Sequence, residues 1–241
     1  GTTGAHTSVD GSAWSNWPLA VSSGSALTRV AWNGATYVAV GNRATIFTSP
    51  DGQVWTKRSA PTSRALAGLA WGNGTWVAVG DLETVITSPD GVTWTEVRAA
   101  ASGFLTSVAW TGSAFVAVGQ GGVVLRSGDG TDWTPGTIAG EDWLTDVLWT
   151  GEQLVATAFD GTVLTSPTGT SWTPRAETGV ALRRLCRAGS HYLAAGDDNA
   201  LLASPDLVAW ELETVDGDPA DGNLTGLAWN GTVGLAVGRP S

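Results

Sequence analysis

Arg29, Asp146 and Arg184 occupy one position of a segment that recurs along the chain, filled elsewhere by Gly68, Ser107 and Gly226. Two guanidinium groups and a carboxylate around one opening would suit a polar or anionic ligand, since a guanidinium presents a rigid fork of donors to an oxyanion. The alternative is a salt-bridged, water-filled plug. Arg43, Arg64 and Arg239 form a second group, in the connections between such segments. Converging on an anion is one use for them, and solvation at a surface is the other. A third group is acidic, with Asp197, Asp198 and Asn199 in one connection and Asp216, Asp218 and Asp221 in the next. Clustered carboxylates are the donors Ca²⁺ prefers, but the spacing departs from an EF-hand loop, whose third aspartate would fall at Ala220. A solvated acidic rim is the competing explanation, and no other cofactor is expected. Trp143 follows Glu141 and Asp142. An aromatic ring flanked by carboxylates is a usual combination for holding a sugar.

Other chemistries find little material. His6 and His191 are the only histidines and stand at unlike places, so a histidine metal site is not expected. Cys186 is a lone cysteine among apolar neighbours, which reads as a small core residue. Ser-His-Asp catalysis lacks a recognisable nucleophile elbow. The formal charge of −10 argues against a sequence-independent grip on nucleic acid and against docking to anionic membranes. No apolar run approaches the ~18 residues of a membrane span.

The elements that must position these residues repeat. Segments beginning at Leu27, Leu66, Leu105, Leu144, Leu182 and Leu224 align, with successive starts 39, 39, 39, 38 and 42 residues apart. That period suits a unit of about four short strands. A first strand of the type LTRVAW ends at a tight turn such as Asn33-Gly34, Asn73-Gly74 or Asn230-Gly231, because Asn-Gly supplies the positive φ angles of a two-residue hairpin. A second strand, Tyr37 to Val40, stops at Gly41. A third, Thr45 to Thr48, runs into Ser49–Trp55, and the fourth begins at that Trp. No segment carries a sustained 3.6-residue period, so essentially no helix is expected.

The motif SPDGQVW recurs as SPDGVTW, SGDGTDW, SPTGTSW, SPDLVAW and SVDGSAW. Its aspartates are Asp10, Asp51, Asp90, Asp129 and Asp206, and its tryptophans are Trp14, Trp55, Trp94, Trp133, Trp172 and Trp210. Thr168 replaces one Asp and Leu207 one Gly. A short carboxylate in a turn accepts backbone N–H groups, the glycine permits a left-handed conformation, and the ring packs on the hairpin. This pattern resembles the Asp-box, or bacterial neuraminidase repeat, of sialidases, sortilin-type receptors, xyloglucanases and photosystem II assembly propellers. The resemblance covers nearly the whole chain.

The resemblance implies an all-β, six-bladed β-propeller of four-stranded antiparallel blades, one domain over residues 1–241. The sixth blade would be split between 224–241 and 1–20, so that the two ends close the ring and leave no free edge. The boxes would be structural. A ligand would bind the opposite face, at the channel mouth and inter-blade loops. A sialidase-like hydrolase would need a Tyr nucleophile with carboxylates. Tyr37 and Tyr192 instead share a repeat position with Trp76, Phe115, Leu154 and Gly234, which marks a packing column. A carboxylate pair on the same face keeps a glycoside hydrolase as the alternative. The favoured reading is a non-catalytic interaction module whose partner is a glycan, a protein or another copy of the domain. The resemblance implies an exported, extracytoplasmic, bacterial protein, and the scarcity of Lys, Met and Cys fits an exported setting.

Overall fold

The computed structural model describes residues 4–20, 23–98, 103–136, 138, 143–213 and 222–240. The first pair of strands, β1 (Gly4–Thr7) and β2 (Ser15–Pro18), forms a two-stranded sheet. Five four-stranded antiparallel meanders follow in chain order. They are β3 (Leu27–Trp32), β4 (Tyr37–Gly41), β5 (Thr45–Ser49) and β6 (Thr56–Arg58); then β7 (Leu66–Gly72), β8 (Thr75–Gly80), β9 (Thr84–Ser88) and β10 (Thr95–Arg98). The third comprises β11 (Leu105–Trp110), β12 (Phe115–Gly119), β13 (Val124–Ser127) and β14 (Thr134–Pro135). The fourth comprises β15 (Leu144–Trp149), β16 (Leu154–Ala158), β17 (Thr162–Ser166) and β18 (Thr173–Glu177). The fifth comprises β19 (Leu182–Ala188), β20 (His191–Gly196), β21 (Leu201–Ser204) and β22 (Glu211–Leu212), and a last hairpin joins β23 (Gly222–Trp229) to β24 (Gly234–Pro240). The one helical piece among the described residues is a 3-10 turn at Gln120–Gly122.

Two compact units divide the chain, Gly1–Ala117 with Leu125–Pro135 and Val118–Val124 with Gly136–Ser241. Within each, sheets stack face to face. In the first unit, Val38, Val40 and Ile46 of the first four-stranded sheet pack against Leu66, Leu69, Trp76 and Ile86 of the second. The β1–β2 hairpin packs on the first sheet through Ala5 and Leu19 against Ala39 and Phe47. In the second unit, Val155 and Val163 meet Leu182, Leu185, Ala194 and Leu202. Strands covered on both faces lose the apolar-polar alternation, so β5, β9, β12 and β16 are buried along their whole length. Cross-strand rings close the hairpin ends: Trp32 on Tyr37, Trp71 on Trp76 and Trp110 on Phe115, with centroids 4.2, 5.0 and 4.6 Å apart.

The first strands of five sheets carry a feature the sequence did not announce. Their registers slip between Leu27 and Arg29, Leu66 and Gly68, Leu144 and Asp146, Leu182 and Arg184, and Leu224 and Gly226. Each slip is a bulge at the intervening residue. Where that residue is threonine its hydroxyl recovers a strand carbonyl, as in Thr28 Oγ1 to Val40 O (3.2 Å) and Leu66 O (2.7 Å), or Thr145 Oγ1 to Thr157 O (3.1 Å).

The aspartate turn between the third and fourth strands is built alike in sheet after sheet. In the second, Asp90 Oδ1 accepts the N–H groups of Val92 and Thr93 at 2.8 Å each, and Ser88 Oγ accepts that of Gly91 at 2.8 Å. The Trp94 indole donates to Gly91 O at 2.9 Å. Gly91 sits at φ +74°, and a Cβ there would lie 3.0 Å from Val38 Cγ2, so the turn needs glycine both for conformation and for sheet contact. The two eroded copies lack the indole bond, and the buried Trp172 and Trp210 N–H groups have no partner. Leu207 takes the glycine's place at φ +68°. Restoring Asp at Thr168 is expected to raise the melting temperature by about 2–4 °C, the scale of one gained hydrogen bond in a chain of this size. An unchanged or lower melting temperature counts against the turn as a stability element.

Backbone N–H donors, from Ser12, Val54, Thr93, Thr131 and Ala209 first, hold Asp10, Asp51, Asp90, Asp129 and Asp206 below the ordinary carboxylate range. A carboxyl that titrates lower folded than unfolded contributes fully above its unfolded value of about 4 and loses the contribution as pH falls through the folded value. Melting curves from pH 7 to pH 2 should therefore drop below about pH 4. An Asp51→Asn variant should show a shallower drop, and identical slopes would refute the assignment.

Candidate functional site

An antiparallel meander puts the aspartate turn and the strand-one hairpin at one end of each sheet. The second-to-third strand turn and the connection to the next sheet lie at the other, here called the loop end. The loop ends share one backbone frame. Asn42, Asp81, Phe159 and Asp197 donate N–H to Ala26, Ala65, Trp143 and Ala181 carbonyls at 2.9–3.0 Å. Two consecutive residues then adopt left-handed φ in three of these turns, Arg43-Ala44, Leu82-Glu83 and Asp198-Asn199. The second of each pair donates onward, Ala44 to Arg64 O, Glu83 to Gly103 O and Asn199 to Gly222 O, at 2.8–2.9 Å. Left-handed backbone at such residues is uncommon, and here it joins each turn to the following connection.

In the first unit, Arg43 donates to Ser23 O at 3.0 Å and borders a hollow of about 440 Å³ with Lys57 and Arg58. Arg64 turns elsewhere, to Leu82 O at 2.9 Å, and lies 3.9 Å from Glu96. The two arginines thus serve different connections. The side chain of Arg239 lies outside the described residues. Arg29 donates to Thr28 O at 3.3 Å and borders a cavity of about 920 Å³ between the β1–β2 hairpin and β3. Burial pushes the Asp81 carboxyl upward.

In the second unit, Asp146 is buried, and its carboxylate accepts the Leu185 N–H of β19, the first strand of the following sheet, at 3.0 Å. Arg184 donates to Arg183 O at 2.6 Å. Asp146 therefore serves the packing of neighbouring strands, as Gly68 does in the first unit, where a Cβ would lie 2.9 Å from Ser107 Cα. Burial, then the Asp146 charge, push the Cys186 thiol up. Asp216, Asp218 and Asp221 fall outside the described residues. Asp197 is turned to Arg183, and no group of three or more His, Cys, Asp or Glu side chains suited to a metal occurs among the described residues.

Trp143 stands at this end, 46% exposed. Phe159, 44% exposed, lies beside it with ring centroids 6.0 Å apart, and the Arg183 guanidinium sits 5.4 Å from the Phe159 centroid. Arg183 Nη2 donates to Asp197 Oδ2 at 3.0 Å and its Nε to Oδ1 of the same carboxylate. Sequence reasoning singled out Trp143 and Asp197 but not Phe159 or Arg183. The signal was present in the repeat. Phe159 stands where Asn42, Asp81, Gln120, Asp197 and Arg239 stand, and Arg183 where Thr28, Ala67, Thr106, Thr145 and Thr225 stand.

No family model matches the chain, and no curated protein matches it. Solved structures do. YCF48 bound to D1 peptide is similar at 15% identity and a TM-score of 0.62, over 89% of each chain. YCF48 from Cyanidioschyzon merolae is similar at 16% identity and a TM-score of 0.69, over 95% of this chain and 83% of that one. Virginiamycin B lyase from Staphylococcus aureus is similar at 12% identity and a TM-score of 0.80, over 93% and 80%. At such identities the likeness speaks for fold, and the fold is a β-propeller.

Proposed function

We propose that the chain is a non-catalytic binding module, a six-bladed propeller of the Asp-box type that holds a glycan or a peptide segment of a protein at its loop ends. The observation that carries the reading is the contrast between the two ends of the sheets. At one end Ser, Asp, Gly and Trp repeat the same hydrogen bonds, and folding accounts for them. At the other, the residue before the first leucine of each repeat is Ala26, Ala65, Phe104, Trp143, Ala181 and Asn223 in turn. Phe104 and Trp143 are both more than a third exposed, although the backbone frame is served equally well by alanine. Departures that folding does not require are where a site is expected. One similar propeller binds a peptide and another is a lyase, so the fold alone does not choose. The engaged carboxylates Asp146 and Asp197 favour binding over hydrolysis. An exported, extracytoplasmic setting completes the reading, on the composition alone.

Closure of the sixth blade by the two chain ends is part of the proposal. The β1–β2 hairpin meets the first four-stranded sheet as that sheet meets the second. A Cβ on Gly52 would lie 3.3 Å from Thr7 Cγ2, and one on Gly91 3.6 Å from the equivalent Thr48 Cγ2.

The test is a screen of neutral oligosaccharides and peptides, followed by hydrogen exchange of the free and bound protein. Protection at turns 42–45, 81–84, 158–162 or 196–200 is the expected outcome. A footprint confined to the aspartate turns overturns the reading.

A further inference from the structure

We infer that Trp143, Phe159, Arg183 and Asp197 form a platform for the ring face of a neutral saccharide, an assignment that rests on the loop-end binding reading above. Three separate departures from the repeat meet at this place. Trp143 stands where three repeats have alanine, Phe159 stands where the other five have a polar residue, and Arg183 stands where four have threonine, whose hydroxyl caps the strand bulge at Thr28 and Thr145. The substitutions forgo local hydrogen bonds. At the Phe159 position, Asn42 accepts the Ala26 N–H at 2.6 Å and donates to Gly24 O at 3.1 Å, which a phenyl ring cannot do. Two large rings left nearly half exposed, in contact with one another, carry no folding advantage to offset that loss.

The chemistry of the platform selects its ligand. The rings lie side by side, tilted by 32°, and present an open surface. A peptide hot spot buries an anchor side chain in a pocket, whereas the flat C–H face of a pyranose needs only a flat ring to lie on. Arg183 and Asp197 neutralise each other, so the patch offers donors and acceptors without net charge. The Asn223 carboxamide, with its nitrogen facing Asp197 Oδ1 at 3.2 Å, extends that row. Planar amide, guanidinium and carboxylate groups held against one another match adjacent sugar hydroxyls, each a donor and an acceptor. The guanidinium is kept in place by its position against the Phe159 ring, 5.4 Å from the centroid. A chain carrying a formal charge of −10 repels acidic glycans, which leaves neutral ones.

The experiment titrates wild type, Trp143→Ala, Trp143→Phe and Arg183→Ala with cellohexaose, mannohexaose, chitohexaose and laminarihexaose by calorimetry. The peptide hits of the screen are titrated alongside. Saccharide binding that falls at least tenfold in Trp143→Ala, survives largely in Trp143→Phe and weakens in Arg183→Ala is the expected result. Melting temperatures should stay near wild type, since the Trp143 ring is half exposed. Saccharide binding indifferent to Trp143 overturns the platform, and the loop-end reading then stands or falls on the exchange footprint. Failure of every hexasaccharide to bind at 10 mM rejects the ligand class. Peptide binding lost in Trp143→Ala without saccharide binding also rejects that class while leaving the loop-end reading intact.

Discussion

Trp76→Ala is expected to lower stability by about 3–5 kcal/mol, the range for deleting a large buried ring. Trp76 is fully buried, packs on Trp71 and contributes to the contact between the first and second four-stranded sheets. Its position is filled by rings or Leu in the next two sheets, Phe115 and Leu154, both fully buried. In the last hairpin Gly234 takes the place, and the Trp229 ring covers it, 3.5 Å from where a Cβ would be. The Trp76 indole N–H has no partner although it is buried, so Trp76→Phe discards an unpaired donor along with some volume. The phenylalanine variant should therefore lose well under half of what alanine loses. Urea unfolding followed by circular dichroism and by calorimetry would measure both, and agreement of the two probes would show the units unfolding together. An alanine variant within 1 kcal/mol of wild type would remove the packing-column assignment.

Much of this architecture was legible because its determinants are local. The Asn-Gly and aspartate turns carry their own chemistry, and the period near 39 residues sets four strands between them. The strands appear close to the expected places, with the fourth starting at Thr56, one residue beyond Trp55. The bulges were not legible, since a bulge answers to the twist of a first strand and leaves only a threonine as its trace. Nor were the paired left-handed turns, whose residues Arg43-Ala44 and Leu82-Glu83 have no preference for that conformation and are held by bonds to the next connection. The site was legible in part. Trp143 stood out as a tryptophan away from the regular positions, but Phe159 and Arg183 emerge only when each repeat column is compared for what folding requires. The sequence carries no sign of the Leu185 N–H that the Asp146 carboxylate accepts.

Cysteines placed either at Thr7 and Leu235 or at His6 and Ala236, in a Cys186→Ser background, should oxidise to an intramolecular disulfide in at least one of the two variants. The first sheet dictates the register. Val38 pairs with Thr48, and Ala39 with Phe47, between its second and third strands. In the repeat, Leu235 and Ala236 align with Val38 and Ala39, while Thr7 and His6 align with Thr48 and Phe47. The proposed closure would set Leu235 opposite Thr7 and Ala236 opposite His6. Antiparallel pairs alternate between wide and narrow Cα spacing, so one of these two neighbouring pairs has the closer approach that a disulfide tolerates. A bond closing a loop of ~230 residues would stabilise by up to about 5 kcal/mol through the unfolded chain, among the largest effects a single bond can have. The opposite manipulation, deleting residues 1–20, should destabilise the whole chain by removing the Ala5 and Leu19 contacts with Ala39 and Phe47 and by uncovering a strand edge. Non-reducing electrophoresis and peptide mass mapping read the result directly. A linked monomer in either pair, more stable oxidised than reduced, is the closed sixth blade. Disulfide-linked dimers would mean that the hairpin is exchanged between chains, and no linkage in either pair would refute both the register and the split blade.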